Sequence, residues 1–383
     1  MFTRVPIAWL QLTHEKLRLF AAVSGIAFAV VLMLMQLGFR EALSQASSLV
    51  QDRLQCDLVL TSRQYDYLVF SKFFTRRRLY QSLSYEGVQA VAGVYLGLAQ
   101  WKNPEDLHER AILVIGYDPA SSAIAVPGDQ DLHRLDMPDT VFFDAGSRSE
   151  FGPVVDQYLS TGSVKTEVNG RKIQVVGLFR MGTSFGVNGT LLANELNFLR
   201  MFPGHPQDLV EIGLIRLKPG ADPESVRAGL EKGLPPDVHV MTREGFIRQE
   251  RDYWAWHTGI GYIFTLGLAM GFVVGGVIVY QILYTDVSNH LKEYATLKAL
   301  GYRDSYLSSI VLRQAILLSL FGFVPGFAIA KFLYGLTAKA TLLPMILPLE
   351  RAAGVLALTV GMCAIAALLA VRKLRRADPA EIF

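Results

Sequence analysis

The sequence predicts an α-helical membrane protein with four transmembrane helices and a large α/β (α+β) extracytoplasmic domain inserted between the first and second. Three observations carry that prediction. Four long stretches are nearly free of charge, Lys and Arg gather at one set of their flanks, and the longest interval between them shows strand and turn patterning. Of the 383 residues, 51% are hydrophobic and only 19% are charged, against about 25% in a soluble domain. The mean hydropathy is +0.30. A net charge of +3, with no basic stripe interleaved with aromatics, argues against a nucleic-acid partner. The two cysteines, Cys56 and Cys363, form neither a disulfide framework nor a cysteine metal site within one chain.

A hydrocarbon core about 30 Å thick needs roughly 20 apolar residues in a helix. Residues 19–38, 258–284 and 352–371 contain no charge, and 305–334 contains only Arg313 and Lys331, near its ends where long side chains reach the interface. Helix is the state that satisfies the backbone of such segments in lipid. The first is too long for a signal-peptide core and runs on without a cleavage motif, so it reads as an uncleaved anchor. Arg4, Lys16 and Arg18 precede it, Lys292, Lys298 and Arg303 lie between the second and third segments, and Arg372, Lys373, Arg375 and Arg376 follow the fourth. Four crossings put these groups on one side, so residues 1–18, 285–304 and 372–383 are expected in the cytoplasm. Residues 39–257 and the short loop 335–351 then lie outside.

Strand candidates in the external region are 57–61, 111–117, 140–143 and 172–179. A β-turn-α-β unit follows: a strand at 211–217, a turn at Lys218-Pro219-Gly220, a helix opening at Asp222-Pro223-Glu224, and a strand at 237–241. Residues 39–54 extend the first span, and 243–257 lead into the second with Phe246, Glu250, Tyr253 and His257 at helical spacing. Both read as rigid stalks. Tyr253, Trp254 and Trp256 suit an aromatic belt at the outer surface.

Chemistry is sparse. Gly182-Thr183-Ser184-Phe185-Gly186 fits a nucleophile-elbow pattern, but the turn-like Val187-Asn188-Gly189-Thr190 follows where a helix is required, so a surface loop is the better reading. The seven histidines show no metal spacing, and neither a Walker A nor a dinucleotide glycine loop occurs, so no catalytic residue, metal or cofactor is assigned. Gly267, Gly271 and Gly275 recur on one face of the second span, which allows helices to approach closely, within the chain or against a second copy. Gly322, Pro325 and Gly326 suggest a kink in the third. Between these spans Val287, Leu291, Tyr294, Ala295 and Leu300 share a helical face, and Gly301 ends that helix. It suits either the membrane surface or a docked partner.

The run Lys292-Glu293-Tyr294-Ala295-Thr296-Leu297-Lys298-Ala299-Leu300-Gly301 resembles the signature after the second span in permeases of the MacB/FtsX superfamily. The four-span plan and the tail Arg376-Ala377-Asp378-Pro379-Ala380-Glu381 are similar to that superfamily too, as are the external phrases at 114–119 and 175–179. The N-terminus and residues 181–199 look most like the DevC subgroup of cyanobacterial-type exporters. The resemblance implies the permease subunit of an ABC transporter in a bacterial inner membrane, both termini cytoplasmic. It implies a homodimer bound to two copies of a separate ATPase, which alone binds ATP. A short cytoplasmic coupling helix, with Leu291, Glu293, Tyr294, Leu297, Lys298, Leu300 and Gly301 at the ATPase contact, is expected to receive the stroke. A periplasmic membrane-fusion adaptor, a TolC-like outer-membrane duct and a glycolipid or other amphiphilic substrate are the further implied partners. FtsX-like activation of a periplasmic enzyme and LolC/LolE-like lipoprotein release are the alternatives within the superfamily.

Overall fold

A computed structural model describes residues 16–126, 131–183, 186–290, 293, 296 and 300–376. The chain forms two compact units, one of residues 43–258 and the other of the segments on either side.

The membrane unit has four helices long and apolar enough to cross a bilayer among the described residues: Lys16–Ser47, Gly259–Asn289, Asp304–Thr341 and Leu349–Arg376. The second runs five residues beyond 284, into the segment expected to form the cytoplasmic helix. The third continues through Pro325 to Thr341, where Leu342 stops it in a left-handed conformation (φ 59°). The fourth packs against both the second and the third. In the second half of the first helix the Tyr334 hydroxyl donates to the Leu34 carbonyl (2.5 Å), and Arg351 lies 3.7 Å from Glu41.

The external unit is mixed α/β. Its early strands are β1 (Leu58–Ser62), β2 (Phe74–Thr75), β3 (Val88–Lys102), β4 (Glu109–Tyr117) and β5 (Thr140–Asp144). Then come β6 (Val164–Val168), β7 (Arg171–Phe179), β8 (Thr190–Asn194), β9 (Leu209–Val210), β10 (Ile212–Leu217) and β11 (Val238–Thr242). Nine of them make one sheet in the order β11-β1-β10-β3-β4-β8-β5-β7-β6, while β2 and β9 form a separate ribbon. The far end of β3 also pairs with β6, Trp101 opposite Val168, so the six strands from β3 to β6 close on themselves.

Each strand candidate read from the sequence falls on an observed strand. The helix expected after Asp222 is Pro223–Gly233, whose Asp222 carboxylate accepts from the Ser225 amide at 3.0 Å. The sheet is buried on both faces, because alternate residues enter different cores. Val114, Val141, Phe143 and Leu191 join one, with helices Arg76–Ser82, Val154–Thr161, Glu195–Met201 and Pro223–Gly233 supplying Leu79, Val154, Phe198 and Leu230. Leu113, Ile115, Phe142 and Leu192 join the other, together with Val50, Leu54 and Phe246 from the two segments that connect this unit to the membrane helices.

Those two connections, both expected as helical stalks, differ. The outgoing one is an uninterrupted helix to Ser47. The returning one is helical over Arg243–Asp252, widens to a π turn over Tyr253–His257, and breaks at Thr258, whose backbone is extended (φ −108°, ψ 149°) before the next helix starts at Gly259. Ring stacking holds residues 253–257 to the external unit, as described below, and the helical hydrogen-bond ladder gives way there.

Candidate functional site

The expected ATPase-contact segment is partly visible. Glu293 is helical and exposed, Leu300 is 72% exposed, and Gly301 takes φ +89°, as a helix-terminating glycine does. Leu291, Tyr294, Leu297 and Lys298 lie outside the described residues.

The membrane glycines face the first helix of the same chain, and a β-carbon on Gly275 would also meet Met362 of the fourth helix at 2.7 Å. A β-carbon on Gly271 would meet Met33 at 3.3 Å, one on Gly275 would meet Ala29 at 2.6 Å, and one on Gly267 would strike the Gln36 amide. From the other side Gly322 faces Ile26. A β-carbon on Gly326 would lie 2.8 Å from the Ala27 carbonyl oxygen and 2.9 Å from Val30 Cβ. The first helix is therefore gripped between two glycine faces. In lipid such close approach supplies the dispersion contacts that hold helices together. Pro325 lies on the same helix as the second face, between the two glycines.

At the foot of the external unit the outgoing and returning segments are tied together by side chains. Glu250, 1% exposed, is the hub. Its carboxylate accepts from the Tyr65 hydroxyl at 2.8 Å, the Leu68 amide at 3.1 Å and the Trp254 indole N–H at 3.1 Å. Burial pushes the carboxyl above its ordinary value, and these donors pull it partly back. Arg251 donates to Ser48 Oγ at 2.9 Å and lies 3.4 Å from Asp52, and Arg243 donates to the carbonyls of Leu54 (2.9 Å) and Asp52 (2.8 Å). Residues 48–54 are thereby tied to the start and end of the returning helix. Sequence reasoning placed Glu250 on a helical stripe with Phe246 but missed its role. A carboxylate on an otherwise apolar stripe was the available signal.

Of the expected aromatic belt, Tyr253 stacks on Tyr67 (ring centroids 4.6 Å apart) and on His257 (5.8 Å), and Trp254 meets Tyr67 edge-on at 5.7 Å. Trp256 is 60% exposed.

A second polar cluster lies in the same unit, beside helix Glu195–Met201. His205 Nε2 is 2.9 Å from Glu211 Oε1 and its Nδ1 is 2.9 Å from the Pro206 carbonyl oxygen, so the ring keeps both contacts only when doubly protonated. Glu211 Oε2 accepts from the Leu96 amide at 3.0 Å, and rings of Tyr95 and Phe198 cover the imidazole, with one edge of the half-exposed Phe73 ring at its rim (centroids 6.1 Å apart). The hydrogen bond that the ring donates to the Glu211 carboxylate raises the imidazole pKa above its ordinary value of 6.5. A raised folded value means stabilisation that is complete below the unfolded pKa and is lost as pH rises through the folded one. Thermal unfolding of the full chain in lipid nanodiscs is expected to show a falling midpoint from about pH 6.5 upward. His205→Gln should flatten that slope, and an unchanged slope would show that the pair does not titrate.

The elbow-like pattern does not lead into a helix: Gly182 has φ +103°, Thr183 is buried, and the next regular element is β8. Ser184 and Phe185 lie outside the described residues. The Asp144 carboxylate fixes the start of this loop by accepting from the amides of Met181 and Gly182, each at 2.9 Å.

Residues 265–379 match the family model described as FtsX-like permease C-terminal. No curated protein matches the chain. Among solved structures, the chain is similar to the extracellular domain of the noncanonic ABC-type transporter YknZ from Gram-positive bacteria, with 13% identity and TM-score 0.32, covering 49% of this chain and 98% of that one. It is also similar to the periplasmic region of MacB from Actinobacillus actinomycetemcomitans, with 10% identity and TM-score 0.33, covering 50% of this chain and 91% of that one.

Proposed function

We infer from the FtsX-like permease match that this chain is the membrane subunit of an ABC transporter of the MacB/FtsX type, working on amphiphiles from the outer face of the membrane. The observation that carries the reading is the extent of that match. It takes in most of the second helix, the 285–304 segment, and the third and fourth helices. A separate ATPase, in two copies on a homodimer of this chain, supplies the stroke. A periplasmic adaptor and an outer-membrane duct of the TolC type, as in DevC-like exporters, receive a glycolipid or related cargo.

The described geometry supports a mechanical route. Closure of the ATPases displaces the inner segment that holds Glu293 and Leu300. The first helix, gripped by the glycine faces and unbroken to Ser47, carries the displacement outward as a rod. The Arg251, Arg243 and Glu250 contacts then pass it to the sheet. Thr258, the extended residue on the returning connection, absorbs the change of angle.

Glu293→Lys combined with Leu297→Asp reverses a charge and places another at the proposed ATPase contact. In a reconstituted complex the double substitution is expected to lower ATPase recruitment and substrate-stimulated turnover by about tenfold or more, equal to about 1.4 kcal/mol of lost docking energy. Unchanged recruitment and turnover would refute the assignment. Co-purification in mild detergent tests the export half of the reading. An adaptor and a duct support it, whereas a cell-wall hydrolase or a bound lipoprotein points to the other branches of the superfamily.

A further inference from the structure

We propose that loop 66–73 of the external unit rests on the outer leaflet of the bilayer, with Phe70 and Phe73 in the headgroup–acyl boundary and Lys72 among anionic headgroups. The loop is fixed at both ends and turned outward between them. Tyr65, Leu68 and Phe74 are each 5% exposed, whereas Phe70 is 63% and Phe73 50% exposed. Lys72 between them is exposed as well. Two large rings facing outward beside a cation, on a backbone held in place, is the pattern of an interfacial contact.

Chain connectivity says which surface covers them. The Leu68 amide and the Tyr65 hydroxyl are bound to Glu250, and the Tyr67 ring stacks on Tyr253 with the planes 17° apart. Phe70 in turn packs on Tyr67 at 5.3 Å. Tyr253 precedes Gly259, the first residue of a membrane-crossing helix, by six residues, a reach of at most about 20 Å if fully extended. The reach is shorter here because residues 253–257 are coiled into a π turn. The exposed Trp256 belongs to the same stretch. The loop thus joins, from distant sequence, the aromatic residues by which the chain re-enters the bilayer, and lipid is the apolar phase within reach of its rings.

The test uses the full chain in bilayers of phosphatidylcholine and phosphatidylglycerol, with Cys56→Ala and Cys363→Ala removing the native thiols. Nitroxide labels are placed at Phe70→Cys, at Lys72→Cys and, as a water-facing control, at Leu159→Cys, which is 73% exposed on helix Val154–Thr161. Collision with oxygen, relative to collision with a water-soluble nickel chelate, is expected to be several-fold higher at positions 70 and 72 than at 159. A ratio equal to the control would place the loop in water. Low access to both reagents would mean that protein, including a second copy, covers it. Either outcome overturns the proposal. The Lys72 label disturbs no packed ring, so it keeps the test open should Phe70→Cys fail to fold. The measurement needs no ATPase, so its failure is distinct from failure of the transporter reading.

Discussion

Replacing Glu250 with alanine is expected to lower the stability of the chain by about 2 kcal/mol or more, because two buried donors and one half-buried donor lose their acceptor, the buried ones at about 1–3 kcal/mol each. The donors are the Tyr65 hydroxyl, the Leu68 amide and the Trp254 indole N–H. Water does not readily replace the carboxylate there, since Tyr65 and Leu68 are each 5% exposed. Glu250→Gln keeps one acceptor oxygen and should cost less. The two variants also separate charge from hydrogen bonding. With the folded pKa raised, the native state resists deprotonation, so this residue's contribution falls as pH rises above about 4.5 and levels off beyond the folded value. Glu250→Gln should remove that dependence. Denaturant unfolding of the full chain in detergent, read on the external unit, checks both statements, and equal stability of Glu250→Ala and the parent chain would refute the hub.

The second large effect lies in the membrane. Gly326→Leu is expected to cost about 1–3 kcal/mol or more through overpacking, because the new side chain meets backbone rather than a movable tip. The nearest atoms are the Ala27 carbonyl oxygen and Val30 Cβ, so the first and third helices must separate for it to fit. Gly335→Leu on the same helix is the control. No atom lies within 4 Å of a β-carbon built there, and an exposed helical glycine gains from replacement. The thermal midpoint in detergent should fall for position 326 and hold or rise for 335. If the transporter reading is right, Gly326→Leu should also weaken the coupling of ATPase turnover to transport, because a loosened first helix transmits less of the stroke.

Much of the fold was legible because its signals are local. A charge-free stretch of some 20 residues has one solution in lipid. Strands such as β4 and β7 are runs of β-branched residues between polar breaks. β3 escaped notice although it is the longest strand. Gly93, Gly97 and several alanines dilute its β pattern, and the reason for Gly97 is tertiary: a β-carbon there would meet the Phe202 ring at 2.6 Å. The glycine faces were visible as spacing, but not what fills them. Helical periodicity names a face and leaves its partner open. The break at Thr258 was hidden as well, because residues 243–257 carry an acceptable helical stripe and only the stack on Tyr67 reveals a competing demand.

By itself, then, the sequence determined which four segments form helices long and apolar enough to cross a membrane, where the α/β domain is inserted, and the resemblance of the 292–301 run to an ATPase-driven permease. Each of these depends on composition or spacing within a short window, where hydrophobic transfer and backbone satisfaction act residue by residue. Tertiary structure alone decided that the first helix packs on both glycine faces, that Glu250 binds residues more than 180 positions away, and that the returning connection breaks at Thr258. Those outcomes arise from close approach between distant segments, where steric fit and the cost of an unpaired buried group select one arrangement among many that the local pattern permits.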